Sequence, residues 1–84
     1  MIVRIRLFAI LRERAGRDSI ELELADGATV ADALRALEER GPLVDLLGRL
    51  PVRMAVNRDY ATSTTPLQAD DELALIPPIS GGST

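Results

Sequence analysis

The sequence predicts an α+β domain in which one main helix crosses a mixed sheet of four or five strands. Near the amino terminus two segments alternate apolar and charged residues, which is the period of a strand with one face in water. A central segment repeats its apolar residues at helical spacing, and two further apolar segments follow it. The 84 residues are enough for one domain, because a second core would need roughly 50 more.

The first strand is predicted over residues 2–8. Its apolar residues at positions 3, 5 and 7 share one face, whereas Arg4 and Arg6 share the other. Phe8, the only phenylalanine, falls on the arginine face. The alternation therefore predicts that Phe8 points away from the core, unless the strand bends there and Phe8 folds into it.

The second strand is predicted over residues 20–24, where Glu21 and Glu23 alternate with isoleucine and leucine. Antiparallel pairing of the two strands would place Arg4 and Arg6 opposite these glutamates on the solvent face. Such exposed pairs contribute a few tenths of a kcal/mol each. We therefore expect them to favour one register. Residues 10–15 between the strands predict a helix of one or two turns.

The main helix is predicted over residues 30–40. Thr29 and Asp32 match the capping-box pattern, in which each side chain accepts a hydrogen bond from the other residue's backbone. Gly41 and Pro42 end the helix, since proline cannot continue it. The apolar residues that follow, up to position 50, indicate a short helix or a turn that closes the core.

Two more strands are predicted over residues 52–56 and 73–76. The first runs into a turn at residues 57–59, where asparagine tolerates the left-handed conformation. Residues 61–66 are expected to form a loop, and residues 70–72 an acidic, solvated turn.

The order β-β-α-β-β is that of a ubiquitin-like β-grasp fold. The competing arrangement, a split α+β sandwich of ferredoxin type, needs a second long helix, and only residues 30–40 predict one. We assign residues 1–78 to the β-grasp domain and residues 79–84 to a flexible C-terminal Gly-Gly tail.

Composition excludes several function classes. The sequence has no histidine, cysteine or lysine, so it offers no imidazole base, thiolate nucleophile, zinc-finger ligand set or P-loop lysine. A self-sufficient enzyme is therefore not expected. A net charge of −3 argues against nucleic acid as the partner. No window approaches the ~20 apolar residues of a membrane span, and the amino terminus lacks a signal-peptide core. We expect a cytoplasmic protein.

Four segments of the chain together resemble a known family. They are residues 8–13 (F-A-I-L-R-E), 55–57 (A-V-N), 70–74 (D-D-E-L-A) and 77–82 (P-P-I-S-G-G). In order and spacing they are similar to the small subunits of molybdopterin synthase, the MoaD-type members of the ubiquitin-like sulfur-carrier (MoaD/ThiS) family. Thiamine sulfur carriers share the Gly-Gly end but are usually shorter and lack the double proline.

This resemblance implies that Gly82 is the working residue. An E1-like activating enzyme would use ATP to adenylate its carboxylate, which is then converted to a thiocarboxylate. The tail would enter the active site of a large subunit, where the sulfur passes to a pterin precursor in molybdenum cofactor biosynthesis. The catalytic side chains would belong mainly to that partner, and this chain would bind no cofactor and no metal.

The residue types of the tail suit that chemistry. Glycine at position 82 has no Cβ to block a sulfur nucleophile. The two prolines restrict the base of the tail to extended conformations, which reduces the entropy lost on threading. Pro78, Ile79, Ser80 and Gly81 would then occupy the partner's channel. The alternative is a frayed terminus without a role.

The resemblance also predicts an interface. Phe8 and Ile76 lie on the solvent-facing side of their strands, and the family places apolar residues there against the large subunit. An exposed aromatic beside an exposed β-branched residue forms a partner-binding patch. Arg12 matches the family motif and is expected either to contact a partner or to pair with its neighbours.

The chain departs from the family pattern after Gly82, because Ser83 and Thr84 follow it. Adenylation would require their removal. A tail-trimming protease, a vector-derived addition or loss of the carrier function would each explain them. Two classes of function therefore stay open: a sulfur carrier, for molybdopterin or for another thio-product (cysteine, thiolated tRNA, thiamine), and a non-catalytic ubiquitin-like binding module or protein modifier.

Overall fold

Five strands and two helices make up the computed structural model, which describes residues 1–39, 41, 43, 45–49 and 51–78. In chain order they are β1 (Ile2–Leu7), α1 (Ala9–Ala15), β2 (Ser19–Glu23), α2 (Val30–Glu39), β3 (Arg53–Val56), β4 (Asp59–Ala61) and β5 (Glu72–Ile76). The tail predicted over residues 79–84 lies outside the described residues.

The strands form one mixed sheet in the order β2-β1-β5-β3-β4. β1 and β5 are parallel, and the other neighbouring pairs are antiparallel. This confirms the predicted α+β fold with a mixed sheet. Within the described part of the chain, neither helix has the length and apolar character needed to cross a membrane.

The core lies between the sheet and α2. Val30, Ala33 and Leu37 are the buried residues of the helix, and they belong to one cluster with the inward side chains of the central strands. The strand members of that cluster are Val3, Ile5, Leu7, Leu73 and Leu75. Leu43 follows α2 and belongs to the same cluster. Residues 45–49 form turns, so of the two structures predicted for this segment, a short helix or a turn, the described residues form the turn.

The capping box at the start of α2 is confirmed. The Thr29 N–H donates to Asp32 Oδ2 at 2.9 Å, and the Asp32 N–H donates to Thr29 Oγ1 at 3.4 Å. The hydrogen bond from the Thr29 backbone is the largest influence on the pKa of the Asp32 carboxyl, and it lowers that pKa. Partial burial raises the pKa by less, so the pKa lies below its ordinary value of 3.8.

One of the predicted strand pairings is wrong. Arg4 lies opposite Glu21, as expected, but Arg6 lies opposite Ser19 and Glu23 lies opposite Ile2. In an antiparallel pair the two numberings run in opposite directions, so once Arg4 faces Glu21 the next outward residue of β1 faces Ser19. The Arg6 guanidinium instead lies 3.6 Å from a carboxylate oxygen of Glu72 on β5.

The loop predicted from residue 61 also needs correction, because Ala61 ends strand β4. β3 and β4 form a hairpin in which Val56 pairs with Asp59. The two residues between them, Asn57 and Arg58, have φ angles of 50° and 74°, as a type I′ turn requires. This hairpin was missed because β4 is three residues long and its turn lacks the usual glycine.

Candidate functional site

The outer face of the sheet, which is the face turned away from α2, carries the predicted interface. Phe8 has extended backbone angles (φ −128°, ψ 153°), so it prolongs β1 by one residue and directs its side chain to the side opposite Leu7. It is half-buried, and the Arg6 guanidinium carbon lies 5.4 Å from its ring centroid. Phe8 is not among the residues packed against the core cluster. The prediction that it points away from the core is confirmed.

Ile76 lies on the same face. Leu7 of β1 is paired with Leu75 of β5, so the next residues of the two parallel strands, Phe8 and Ile76, are neighbours. Ile76 is also half-buried and outside the core cluster. The fold therefore brings the two predicted apolar interface residues together, although each is partly covered rather than fully exposed.

A transverse row of four residues extends this surface across the sheet. Arg6 pairs with Ala74, Ala74 with Ala55, and Ala55 with Tyr60. The two alanines are buried and lie between the arginine and the tyrosine, whose side chain is 80% exposed. We call the apolar part of this surface the outer-face patch. It comprises Phe8, Ala55, Tyr60, Ala74 and Ile76.

Sequence reasoning missed Tyr60 as a member of this patch. The residue follows the turn of the hairpin and was assigned to neither a strand nor a site. The only available signal was the hairpin register: asparagine at position 57 predicts a turn, and a tight turn places Tyr60 opposite the outward-facing Ala55.

The base of the predicted tail adjoins the outer-face patch. A groove of about 540 Å³ is lined by Pro51, Arg53, Tyr60, Ile76, Pro77 and Pro78. Pro77 is buried and Pro78 is exposed, so the chain leaves the domain beside two residues of the patch. The other predicted tail residues, Ile79, Ser80, Gly81 and Gly82, lie outside the described residues, as do Ser83 and Thr84.

Arginines border the patch. Arg12 is exposed on α1, one helical turn after Phe8, and its carbonyl accepts the Gly16 N–H that caps the helix. Arg53 is exposed and lies opposite Ile76. An apolar centre with a cationic border in a chain of net charge −3 is suited to a partner surface with an apolar centre and acidic edges.

Among the described residues no carboxylate is buried, and no group of three acidic, histidine or cysteine side chains is arranged to hold a metal ion.

The sequence and the fold of this chain are similar to those of known proteins. The sequence model described as the ThiS family matches residues 5–82. The molybdopterin synthase sulfur carrier subunit of Arabidopsis thaliana is 38% identical over 80 residues, covering 95% of this chain and 82% of that protein. Small archaeal modifier protein 1 of Haloferax volcanii is 37% identical, covering 92% of this chain and 97% of that protein. A crystal structure of SAMP1 from Haloferax volcanii superposes with a TM-score of 0.86 at 35% identity, covering 98% of this chain and all of that chain.

Proposed function

The chain belongs to the ThiS family, and we propose that it is the sulfur carrier subunit of a molybdopterin synthase, which donates sulfur from a thiocarboxylate at Gly82. The observation that carries the proposal is the position of the outer-face patch. Phe8, Ile76 and Tyr60 lie beside the point at which Pro77 and Pro78 lead into the tail. A partner that covers the patch is thereby placed to receive the tail.

The proposed chemistry takes place at the tail carboxylate. An activating enzyme joins the Gly82 carboxylate to the AMP part of ATP and releases pyrophosphate. A sulfide-level nucleophile (HS⁻) then displaces AMP and leaves a thiocarboxylate. After this sulfur has bonded to the pterin precursor, water hydrolyses the bond between the sulfur and the Gly82 carbonyl carbon, which leaves the sulfur on the precursor and regenerates the carboxylate. Glycine suits each step, because it has neither a Cβ to obstruct attack nor a stereocentre to racemise.

The large subunit of the synthase is the proposed partner of the outer-face patch. We place the catalytic side chains in that subunit and the ATP in the activating enzyme, so that this chain works without a cofactor of its own. We further propose that the reaction takes place in the cytoplasm, and that a protease removes Ser83 and Thr84 to free the Gly82 carboxylate.

A second function is favoured by one comparison. The relative from Haloferax volcanii is named a small archaeal modifier protein, and its identity to this chain, 37%, is close to the 38% of the Arabidopsis sulfur carrier subunit. As a modifier, the chain would use the same activated Gly82 to form an amide bond with an amine of another protein.

The intact mass of the untagged protein from its own cells tests both proposals. A mass ending at Gly82, with one oxygen replaced by sulfur, supports the carrier, whereas adducts with other proteins support the modifier. If every molecule retains Ser83 and Thr84, transfer from Gly82 is excluded.

Gly82→Ala tests the same point by mutation. Sulfur transfer to the pterin precursor, measured with the activating enzyme and the large subunit, should be lost. Gly48→Ala is the matched control, because a Cβ there would meet only Glu38 Oε2 at an ordinary 3.7 Å. Full transfer by the Gly82→Ala variant would overturn the carrier proposal.

A further inference from the structure

The free edge of β2 and the apolar groove beside it form a second surface, which the proposed function does not use. We infer that this surface binds an extended, basic segment of a partner protein as an added strand of the sheet.

β2 ends the sheet on the side opposite β4, and its outward backbone groups are identifiable. The Leu24 N–H donates to the Met1 carbonyl at 2.8 Å, and the even-numbered residues of β2 continue this bonding toward β1. Because an antiparallel ladder alternates, Ser19, Glu21 and Glu23 direct their N–H and C=O groups away from β1. Among the described residues, no backbone hydrogen bond reaches these groups from the open side. They match the main-chain bonding of one more strand.

The groove lies between β2 and α2 and measures about 370 Å³. Ile20 and Leu22 of β2 form one wall, and Ala36, Leu37 and Leu43 are among the residues opposite them. Ile20 and Leu22 are only half-buried, whereas the residues paired with them in β1 are fully buried. A strand added beside β2 would direct every second side chain into this groove, so the partner needs aliphatic residues at alternate positions.

The negative charge near β2 indicates which residues the partner needs on the other face of the added strand. Residues 17–26 contain one arginine and four carboxylates, a net charge of −3 that equals the net charge of the whole chain. Glu21 and Glu23 are exposed on the outer side of β2. In β1, Glu23 lies opposite the uncharged Ile2 and Glu21 lies opposite Arg4. Lysine or arginine between the aliphatic residues of the partner would therefore lie opposite these glutamates.

The same charges disfavour a second copy of this chain as the occupant. The antiparallel pairing of two copies that uses all of β2 is centred on Glu21. It would oppose Glu21 to Glu21 of the second copy, and like charges directly opposite each other destabilise a strand pair.

Binding at β2 leaves the outer-face patch accessible. Phe8 extends β1, the strand next to β2, and the other members of the patch lie on β5, β3 and β4. Because strands are spaced about 4.8 Å apart, Phe8 lies about 5 Å and Ile76 about 10 Å from the free edge. A partner on β2 could therefore hold the carrier while another protein uses the patch and the tail.

The proposal is tested by nuclear magnetic resonance with the full chain and a blocked synthetic peptide in which isoleucine alternates with lysine. We expect shifts in the amides of Ser19–Glu23 and in the methyl groups of Leu37 and Leu43. A peptide with glutamate in place of lysine should bind at least about tenfold more weakly, since two like-charge contacts replace two attractive ones.

Two variants locate the binding. Glu21→Pro removes an outward N–H that the β1 ladder does not use, as edge strands tolerate. Ala36→Leu fills the groove, and Ala31→Leu, a half-buried residue of the same helix outside the groove lining, is its control. Glu21→Pro and Ala36→Leu should each weaken peptide binding about five- to tenfold. The control Ala31→Leu should leave peptide binding unchanged. If Glu21→Pro fails to fold, the pair of alanine variants decides the test.

If the peptide shifts only the resonances of Phe8, Tyr60 and Ile76, the proposal is overturned. It is also overturned if Ala36→Leu leaves peptide binding unchanged. Concentration-dependent shifts of the β2 amides without peptide would show that a second copy occupies the edge.

Discussion

The Arg6 guanidinium carbon lies 5.4 Å from the centre of the Phe8 ring. The same arginine approaches Glu72 at 3.6 Å, so its head group is held between the carboxylate and the aromatic face. Cation–π contacts of this kind contribute about 0.5–1 kcal/mol at exposed positions. The contact covers part of the Phe8 ring on the outer face of the sheet, where Phe8 adjoins Ile76 in the patch that we assign to the large subunit.

Phe8→Asp should weaken binding to the large subunit without unfolding the domain. Truncating a central aromatic anchor costs about 2 kcal/mol or more, which corresponds to about 30-fold in affinity. Affinity can be measured by isothermal titration and stability by thermal unfolding. Ile10→Asp is the control, because Ile10 is 40% exposed on α1 and lies outside the patch. A collapse in thermal stability of the Phe8 variant would show instead that the ring is part of the core.

Tyr60→Thr should also weaken binding to the large subunit, about tenfold, because the side chain that it removes forms one end of the patch. The free energy of unfolding should change by less than about 0.5 kcal/mol, since Tyr60 is 80% exposed and threonine also favours a strand. Tyr60→Phe keeps the ring and should retain most of the affinity. Unaltered binding by the threonine variant would remove Tyr60 from the interface.

Asn57→Gly should destabilise the domain by about 1–2 kcal/mol. The asparagine amide donates to Asp71 Oδ1 at 2.9 Å, and its oxygen accepts the Glu72 N–H at 3.0 Å. Glycine keeps the positive φ of 50° but loses both bonds. Urea unfolding measures the change. Arg58→Gly is the control, because it relieves a φ of 74° without removing a side-chain bond of this network. Equal stability of wild type and Asn57→Gly would mean that the amide bonds add nothing.

Asp32→Asn should reduce stability at neutral pH and flatten its acid dependence. The pKa of Asp32 is lower in the folded protein than its ordinary value of 3.8. The ionised carboxylate therefore stabilises the folded state at pH values above 3.8. That contribution is lost as the pH falls from about 3.8 through the lower pKa of the folded protein. Unfolding free energies measured between neutral pH and acid should therefore converge for wild type and variant at the acid end. Parallel curves would contradict the assignment.

The alternation of apolar and charged residues was sufficient to predict β1 and β2, and the capping box was sufficient to locate α2. Both patterns are local: the side-chain period of a strand or helix is set by the backbone itself. The position of Phe8 on the outer face followed from the same period. The pairing of Arg6 did not, because register depends on which residues meet across two strands, and here Arg6 meets Ser19.

By itself, the sequence determined the types of the elements other than β4, the inward faces, the family and the lack of imidazole, thiol and lysine chemistry, because each depends on residue identity and short-range spacing. Only the tertiary structure decided that Phe8 and Ile76 are neighbours and that Tyr60 completes their surface. These contacts join residues far apart in the chain through the parallel pairing of β1 with β5 and the antiparallel pairing of β3 with β5. Pairing of distant strands depends on the packing of the whole core, which no local pattern contains.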